Sequence, residues 1–367
     1  MKPFVRPTII RLNLALALGA ISGTALAGPY DLKSWSVASS LPTEMAWSQD
    51  MAIVGGYVYV MGDQSRLAYA QVNPNGTVGS WTLVAPTSSA IASNSSLVAT
   101  SQAVYAIGGR PFGGVFDASS TVQYALRNPD GSLGAWNTTS SLALPTFDSS
   151  TIALGNRIYS LAGMTGQSDV GRTTVQYAEI NADGSLGTWN FTSSLAAGHT
   201  YGSVVGVGNS MYALGGGVHW YSTNAVERAT ITNLDGSVSS WSPQASLPFA
   251  VYTTGAAVLD STVYLMGGGT QAFGGGWLNS IYYSHLDVNG NLGPWTLSTS
   301  VLPMAVPTVA AAWDGNVYAI VGDTLYFTSP NGDGSVDVVP DSGSTLTLLG
   351  LALFAVAMRG RVRSNRS

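Results

Sequence analysis

Three observations predict an all-β fold of six radial sheets, four strands to a sheet. The first is a recurring turn: NPNGTVGSW at 73–81, NPDGSLGAW at 128–136, NADGSLGTW at 181–189, NLDGSVSSW at 233–241 and NGNLGPW at 289–295. The second is a recurring strand that carries Tyr59, Tyr105, Tyr159, Tyr212, Tyr264 and Tyr318, at intervals of 46, 54, 53, 52 and 54 residues. The third is composition, with only 9% charged residues, 44 glycines and much Ser, Thr, Val and aromatic. Such a balance favours strands and turns over helices.

The turn comes first, because its acidic position invites a chemical reading. That position is Asn75, Asp130, Asp183, Asp235 and Asn289 in successive copies. A catalytic or metal-binding carboxylate would not alternate with an amide. Asx followed by Gly instead suits a tight hairpin, where Gly takes positive φ and Asx bonds its own backbone. Pro74 and Pro129 stand where a type I turn wants φ near −65°.

The tyrosines sit in VGGYVYVMGD (54–63), TSQAVYAIGG (100–109), LGNRIYSLAG (154–163), VGNSMYALGG (207–216), LDSTVYLMGG (259–268) and WDGNVYAIVG (313–322). Trp35, Trp81, Trp136, Trp189, Trp241 and Trp295 follow the same rhythm, at 46, 55, 53, 52 and 54 residues. Two independent markers sharing one period, short first interval included, make six units. In the second full unit the alternation predicts strands at 95–100, 103–109, 121–128 and 133–142. Four strands in about 50 residues fit a propeller blade better than a sandwich.

Strand counting predicts how the ring closes. The chain opens with a Trp-bearing fourth strand (32–42) that has no preceding three, and ends with three strands that lack a fourth. The N-terminal strand therefore completes the last blade and leaves no open edge. The Tyr and Trp positions are expected to pack between blades.

The unit resembles a kelch repeat: an apolar run, Tyr, Gly-Gly, a tyrosine in the next strand (Tyr124, Tyr177), then a tryptophan in the last. The resemblance spans about residues 31–330. It implies a propeller but no particular activity, since kelch propellers include enzymes, scaffolds and binders. The usual Arg and His near the first strand are largely missing, with only His199 similar, and the double Gly is degraded at 61–63, 161–163 and 320–322.

Both ends carry addresses. Residues 1–27 place Lys2, Arg6 and Arg11 before an apolar run and Ala-Leu-Ala, the pattern of a signal peptide cut after Ala27. The domain organisation expected is thus a signal peptide (1–27), a six-bladed propeller (28–335) and a terminal sorting segment (336–367). In that last segment Val339, Pro340, Asp341, Gly343, Ser344 and Thr345 precede an apolar run (346–358) and an Arg-rich tail. Thirteen residues are short for a stable span of about 20. The stretch resembles a PEP-CTERM sorting signal in its VPD-x-GST variant. That resemblance implies an exosortase-type processing partner, transient membrane anchoring, and export to the envelope or beyond in a Gram-negative bacterium. An ordinary C-terminal anchor is the alternative.

Residues 28–338 keep seven cations against 18 acids, a net charge of −11. Nucleic acid is therefore an unsuitable partner. Without cysteine there are no disulfides, thiolate metal sites or cysteine nucleophiles. Nothing calls for a cofactor or metal. The three histidines, His199, His219 and His285, come from different blades. Galactose oxidase shares the kelch architecture, but its copper centre needs a cysteine-crosslinked tyrosine.

Selectivity is expected on the face that gathers the irregular loops, those after the Gly-Gly and those after the fourth strand. The candidate binding residues there are Trp47, Arg110, Phe112, Phe116, Asp117, Arg172, His219, Trp220, Tyr221, Tyr252, Phe273 and Trp277. Aromatic planes with sparse polar groups suit a polysaccharide or an extended peptide of a surface protein. The alternative roles are plugging the channel and packing the loops. Two functions follow: a non-enzymatic exported binding protein, or an extracellular glycosidase-like enzyme using carboxylates such as Asp117 and Asp169.

Overall fold

The computed structural model describes residues 28–45, 50–62, 66–84, 94–111, 117–166, 172–218, 221–271 and 275–332. The signal-peptide segment and the sorting segment lie outside these. The described chain forms six four-stranded antiparallel sheets arranged as a β-propeller, plus two short two-stranded hairpins. Among the described residues, helix is limited to one 3₁₀ turn, Thr43–Met45.

Blade 1 is built from Asp50–Val54, Tyr57–Met61, Leu67–Gln71 and Thr82–Val84. Blades 2 to 5 repeat the order, their first strands being Ser96–Ala99, Ser150–Leu154, Ser203–Val207 and Gly255–Leu259. Blade 6 takes Thr308–Trp313, Asn316–Val321 and Thr324–Thr328 from the C-terminal end. Its fourth strand is Ser36–Ser40, paired antiparallel with Thr324–Thr328. The closure expected from strand counting is the one the chain adopts. First strands touch only in sequence around the circle, blade 1 meeting both blade 2 and blade 6, so they line the central axis.

The core is six layers, one between each pair of neighbouring blades. Second strands such as Ala103–Ile107 are buried throughout, because both their faces meet another blade. That is why their sequences run as near-continuous apolar stretches. The six repeated tyrosines stand on these strands, each fully buried.

Five of the six tyrosines also reach a neighbouring blade by a hydrogen bond. Tyr59, Tyr105, Tyr159 and Tyr212 donate their hydroxyls to the carbonyls of Gly131, Gly184, Gly236 and Gly290, at 2.6–2.9 Å. Those glycines belong to the Asx-Gly turn of the next blade. The tryptophans reach the other way: Trp189, Trp241 and Trp295 donate to carbonyls of Ser140, Ser193 and Ala245 in the preceding blade, and Trp81 to the Ser39 hydroxyl. Each blade is thus latched to both neighbours.

The turns behave as their composition predicts. Asn75, Asp130, Asp183 and Asp235 each accept the backbone N–H two residues on, at 2.9–3.1 Å. Hydrogen bonds from the Ser132 and Ser185 hydroxyls and amides hold Asp130 and Asp183 below the ordinary carboxylate value. In blade 5 the capping role moves to Asp287, which accepts from the amides of Asn289 and Asn291.

In blade 6 this turn is split between the chain's two ends. Asn331 N–H donates to the Asp31 carbonyl and Gly332 N–H to the Pro29 carbonyl. The Tyr264 hydroxyl donates to the carbonyl of Tyr30, which takes the place a glycine carbonyl holds elsewhere. Buried Asp31 then fastens the strap to blade 5, accepting from Ser298, from the amide and hydroxyl of Thr299, and from the Leu32 amide.

Candidate functional site

Loops after the second and fourth strands meet on one face of the ring, opposite the Asx-Gly turns. What fixes them is backbone conformation at the Gly-Gly positions. Gly216 has φ 88° and donates its N–H to the Val251 carbonyl, and an added Cβ there would lie 2.8 Å from the backbone of Gly202. Ala162, in the degraded copy, still holds φ 55°. A residue that favours other conformations is thus kept in the same left-handed region by its surroundings.

A second left-handed position recurs two residues before the first strand. Asn94, Asp148, Tyr201 and Thr253 have φ of 59°, 52°, 58° and 51°, and none is glycine. The Asp148 amide donates to the Asn94 carbonyl, that of Tyr201 to Asp148, that of Thr253 to Tyr201, and that of Thr308 to Thr253. These bonds form a belt across blades 2 to 6 at the channel mouth. For a tyrosine and a β-branched threonine such φ values are costly, and strain of this kind gathers at functional sites.

The side chains of Asn94, Asp148 and Tyr201 on the belt form one polar network. Asn94 donates to Asp148 Oδ1 at 2.7 Å, and the Arg110 Nε–H donates to Asn94 Oδ1 at 3.1 Å. The Tyr201 hydroxyl bonds to the Asp148 carboxyl. The Arg110 guanidinium lies 5.9 Å from the centre of the Phe147 ring. Burial pushes the Asp148 carboxyl up to about 6, against the lowering pull of Asn94, Tyr201 and Arg110. Burial first, and the nearby Asp148 charge second, raise the Tyr201 phenol. Asp50, at the start of the first strand of blade 1, is also pushed up to about 6 by burial, although it accepts from the amides of Leu97 and Met51.

Beside this network stand two aromatic rings. Tyr252 and Trp277 pack with centroids 5.9 Å apart at 46°. Tyr252 exchanges two 3.0 Å backbone bonds with Gly269, which roots the hairpin Gly269–Gln271 and Gly275–Trp277. The neighbouring hairpin, Gly217–Val218 with Tyr221–Ser222, leans on it through Ser222 Oγ, which donates to the Thr270 carbonyl at 3.1 Å.

Of the sequence-predicted binding residues, Arg110, Tyr252 and Trp277 fall on this mouth. Tyr221 stands on the adjoining hairpin, 79% exposed. Asp117 is exposed at the end of its loop. Arg172 donates to Thr165 Oγ1 at 2.6 Å within the loop of blade 3. Trp47, Phe112, Phe116, Asp169, His219, Trp220 and Phe273 lie outside the described residues. Asn94, Asp148 and Thr253 were missed by sequence reasoning; they share a backbone conformation and no residue type.

His199 belongs to the scaffold. It is 2% exposed, its Nδ1 is 2.6 Å from the Gly215 carbonyl and its Nε2 is 3.1 Å from Glu227 Oε1. Burial would raise the Glu227 carboxyl, but His199 and the amides of Ala196 and Ala197 outweigh it and hold the group below its ordinary value. Among the described residues no cluster of His, Asp and Glu is arranged to hold a metal.

Residues 338–359 match the VPDSG-CTERM motif, which marks the chain for export toward the cell envelope. No curated protein matches the chain. Among solved structures, "Structure of YjhT" is similar with TM-score 0.62 at 15% identity, over 80% of this chain and 96% of that one. At that identity the likeness concerns the fold.

Proposed function

We propose that this protein is an exported, non-enzymatic binder, released at or beyond the cell surface, that takes an extracellular polysaccharide on its loop face. The observation that carries the reading is the strained belt of Asn94, Asp148, Tyr201 and Thr253, which holds a charged network beside the Tyr252–Trp277 pair. Aromatic faces cover the apolar CH surface of a sugar, and a few fixed polar groups select its hydroxyls. Arg110 and Asp148 supply such groups. Asp117, Arg172 and Tyr221 on the surrounding loops extend the surface, as would Trp47, Phe112, Phe116, His219, Trp220 and Phe273. A protein ligand is the competing partner class.

Pull-down with envelope polysaccharide tests this. Arg110→Ala and Trp277→Ala should each weaken binding by about tenfold or more, equivalent to about 1.4 kcal/mol. If both variants bind as tightly as the parent, the reading fails. Capture of a surface protein, with polysaccharide ignored, would move the proposal to that class.

One observation favours a second reading, a glycosidase-like enzyme. A carboxyl raised to about 6 beside a phenol and a guanidinium is the setting in which acid–base chemistry is found. Turnover on a polysaccharide panel that vanishes in Asp148→Asn would support it. Inactivity of the parent on the whole panel would count against it.

A further inference from the structure

The face opposite the loops has its own asymmetry. At the tip of the Asx-Gly turns, one residue before Asx, stand Pro74, Pro129 and Ala182 in blades 1 to 3, but Leu234 and Val288 in blades 4 and 5. Leu234 is 99% exposed and Val288 101%, so neither contributes to the core. In blade 6 the split turn replaces the tip, with Tyr30 stacked on His285 at 4.5 Å. Three neighbouring blades thus present apolar groups outward on this face.

The described chain also leaves the propeller there. Gly332 follows the third strand of blade 6 and bonds to Pro29 within the split turn. Five residues separate it from the start of the sorting motif at 338, so the motif begins within about 20 Å of the turn face at full extension. Five-residue strands at about 3.3 Å per residue put the loop face a further 17 Å or so away. The apolar run 346–358 follows. Turn face toward the membrane is therefore the orientation with the shortest path for the tail.

We infer that, while the tail is attached, the turn face rests on the lipid surface, seated by Leu234 and Val288, and the loop face points away. The motif then lies between propeller and bilayer, within reach of a membrane-embedded processing enzyme. Asp130, Asp183, Asp235 and Asp287 edge this face, so the contact is apolar and suits zwitterionic lipid.

The test uses tail-bearing protein made in a host without the processing enzyme and reconstituted into phosphatidylcholine vesicles containing a nitroxide-labelled lipid. The chain has no cysteine, so one introduced cysteine carries a fluorophore at a single site. Ala182→Cys reports the turn face and Tyr221→Cys the loop face. Quenching should be several-fold stronger at position 182 than at 221, and Leu234→Ser with Val288→Ser should shrink the difference. Equal quenching, stronger quenching at 221, or a difference untouched by the two serines overturns the inference. The vesicles hold no polysaccharide, so the outcome is independent of the ligand reading.

Discussion

Tyr105 and Tyr318 occupy equivalent places on their blades but do not do the same work. The Tyr105 hydroxyl donates to Gly184 at 2.9 Å, whereas the buried Tyr318 hydroxyl has no partner among the described residues. Removing a satisfied hydroxyl strands a buried carbonyl, while removing an unsatisfied one relieves a desolvated group. Tyr105→Phe should lower unfolding free energy by about 1–2 kcal/mol and Tyr318→Phe should be neutral or stabilising, as read from denaturant midpoints. Asp148 offers a second residue-scale prediction. Its carboxyl is raised from 3.8 to about 6 in the fold, so its stabilising share is complete at low pH and is lost as pH rises through about 6. Asp148→Asn should therefore become more stable relative to the parent between about pH 4 and 7, by up to about 3 kcal/mol before solvent screening reduces it. Stability curves at fixed temperature across that range check it. Neither residue could be ranked from its letter alone: the tyrosine period was visible, but the missing partner of Tyr318 depends on packing across the closure.

At the scale of the element, the strap at residues 28–33 decides whether the sixth blade is a blade. Asp31 gathers four donors there, from Ser298, Thr299 and Leu32, with burial opposing its charge and the hydrogen bonds outweighing that and holding it below the ordinary value. A group depressed in this way stabilises above its unfolded value of 3.8 and loses that share as pH falls through the folded one. Asp31→Ala should cost roughly 3 kcal/mol at neutral pH, with the gap to the parent closing in acid. Thermal unfolding at several pH values measures both. The N-terminal strand itself was legible, because an unmatched fourth strand and an unmatched trio can only complete each other. Its clasp was not, since Asp31 stands where the other turns carry Thr77, Ser132, Ser185, Ser237 and Asn291, none of them a carboxylate. The belt at the channel mouth escaped for a related reason. Asn94, Asp148, Tyr201 and Thr253 share φ and a hydrogen-bond pattern, and sequence periodicity registers side chains.

For the whole molecule, the two faces of the ring differ in construction. Turns on one face are short, capped by their own side chains and, in blades 2 to 6, latched to a neighbour by tyrosine. The other face gathers loops held by left-handed backbone, with charge and aromatic rings beside the axis. The described chain ends at Gly332 on the turn side, and the sorting motif begins at residue 338 of the sequence. Sequence reasoning found the division between faces because strand alternation fixes it. It also singled out Arg110, Tyr252 and Trp277, whose residue types stand out on those loops. Hydrogen–deuterium exchange with and without envelope polysaccharide tests the division most directly. New protection is predicted in segments around 94, 110, 148, 201, 252 and 277, with the turns at 130, 183, 235 and 290 unchanged. Protection centred on those turns, or none at a polysaccharide concentration that saturates pull-down, would contradict it.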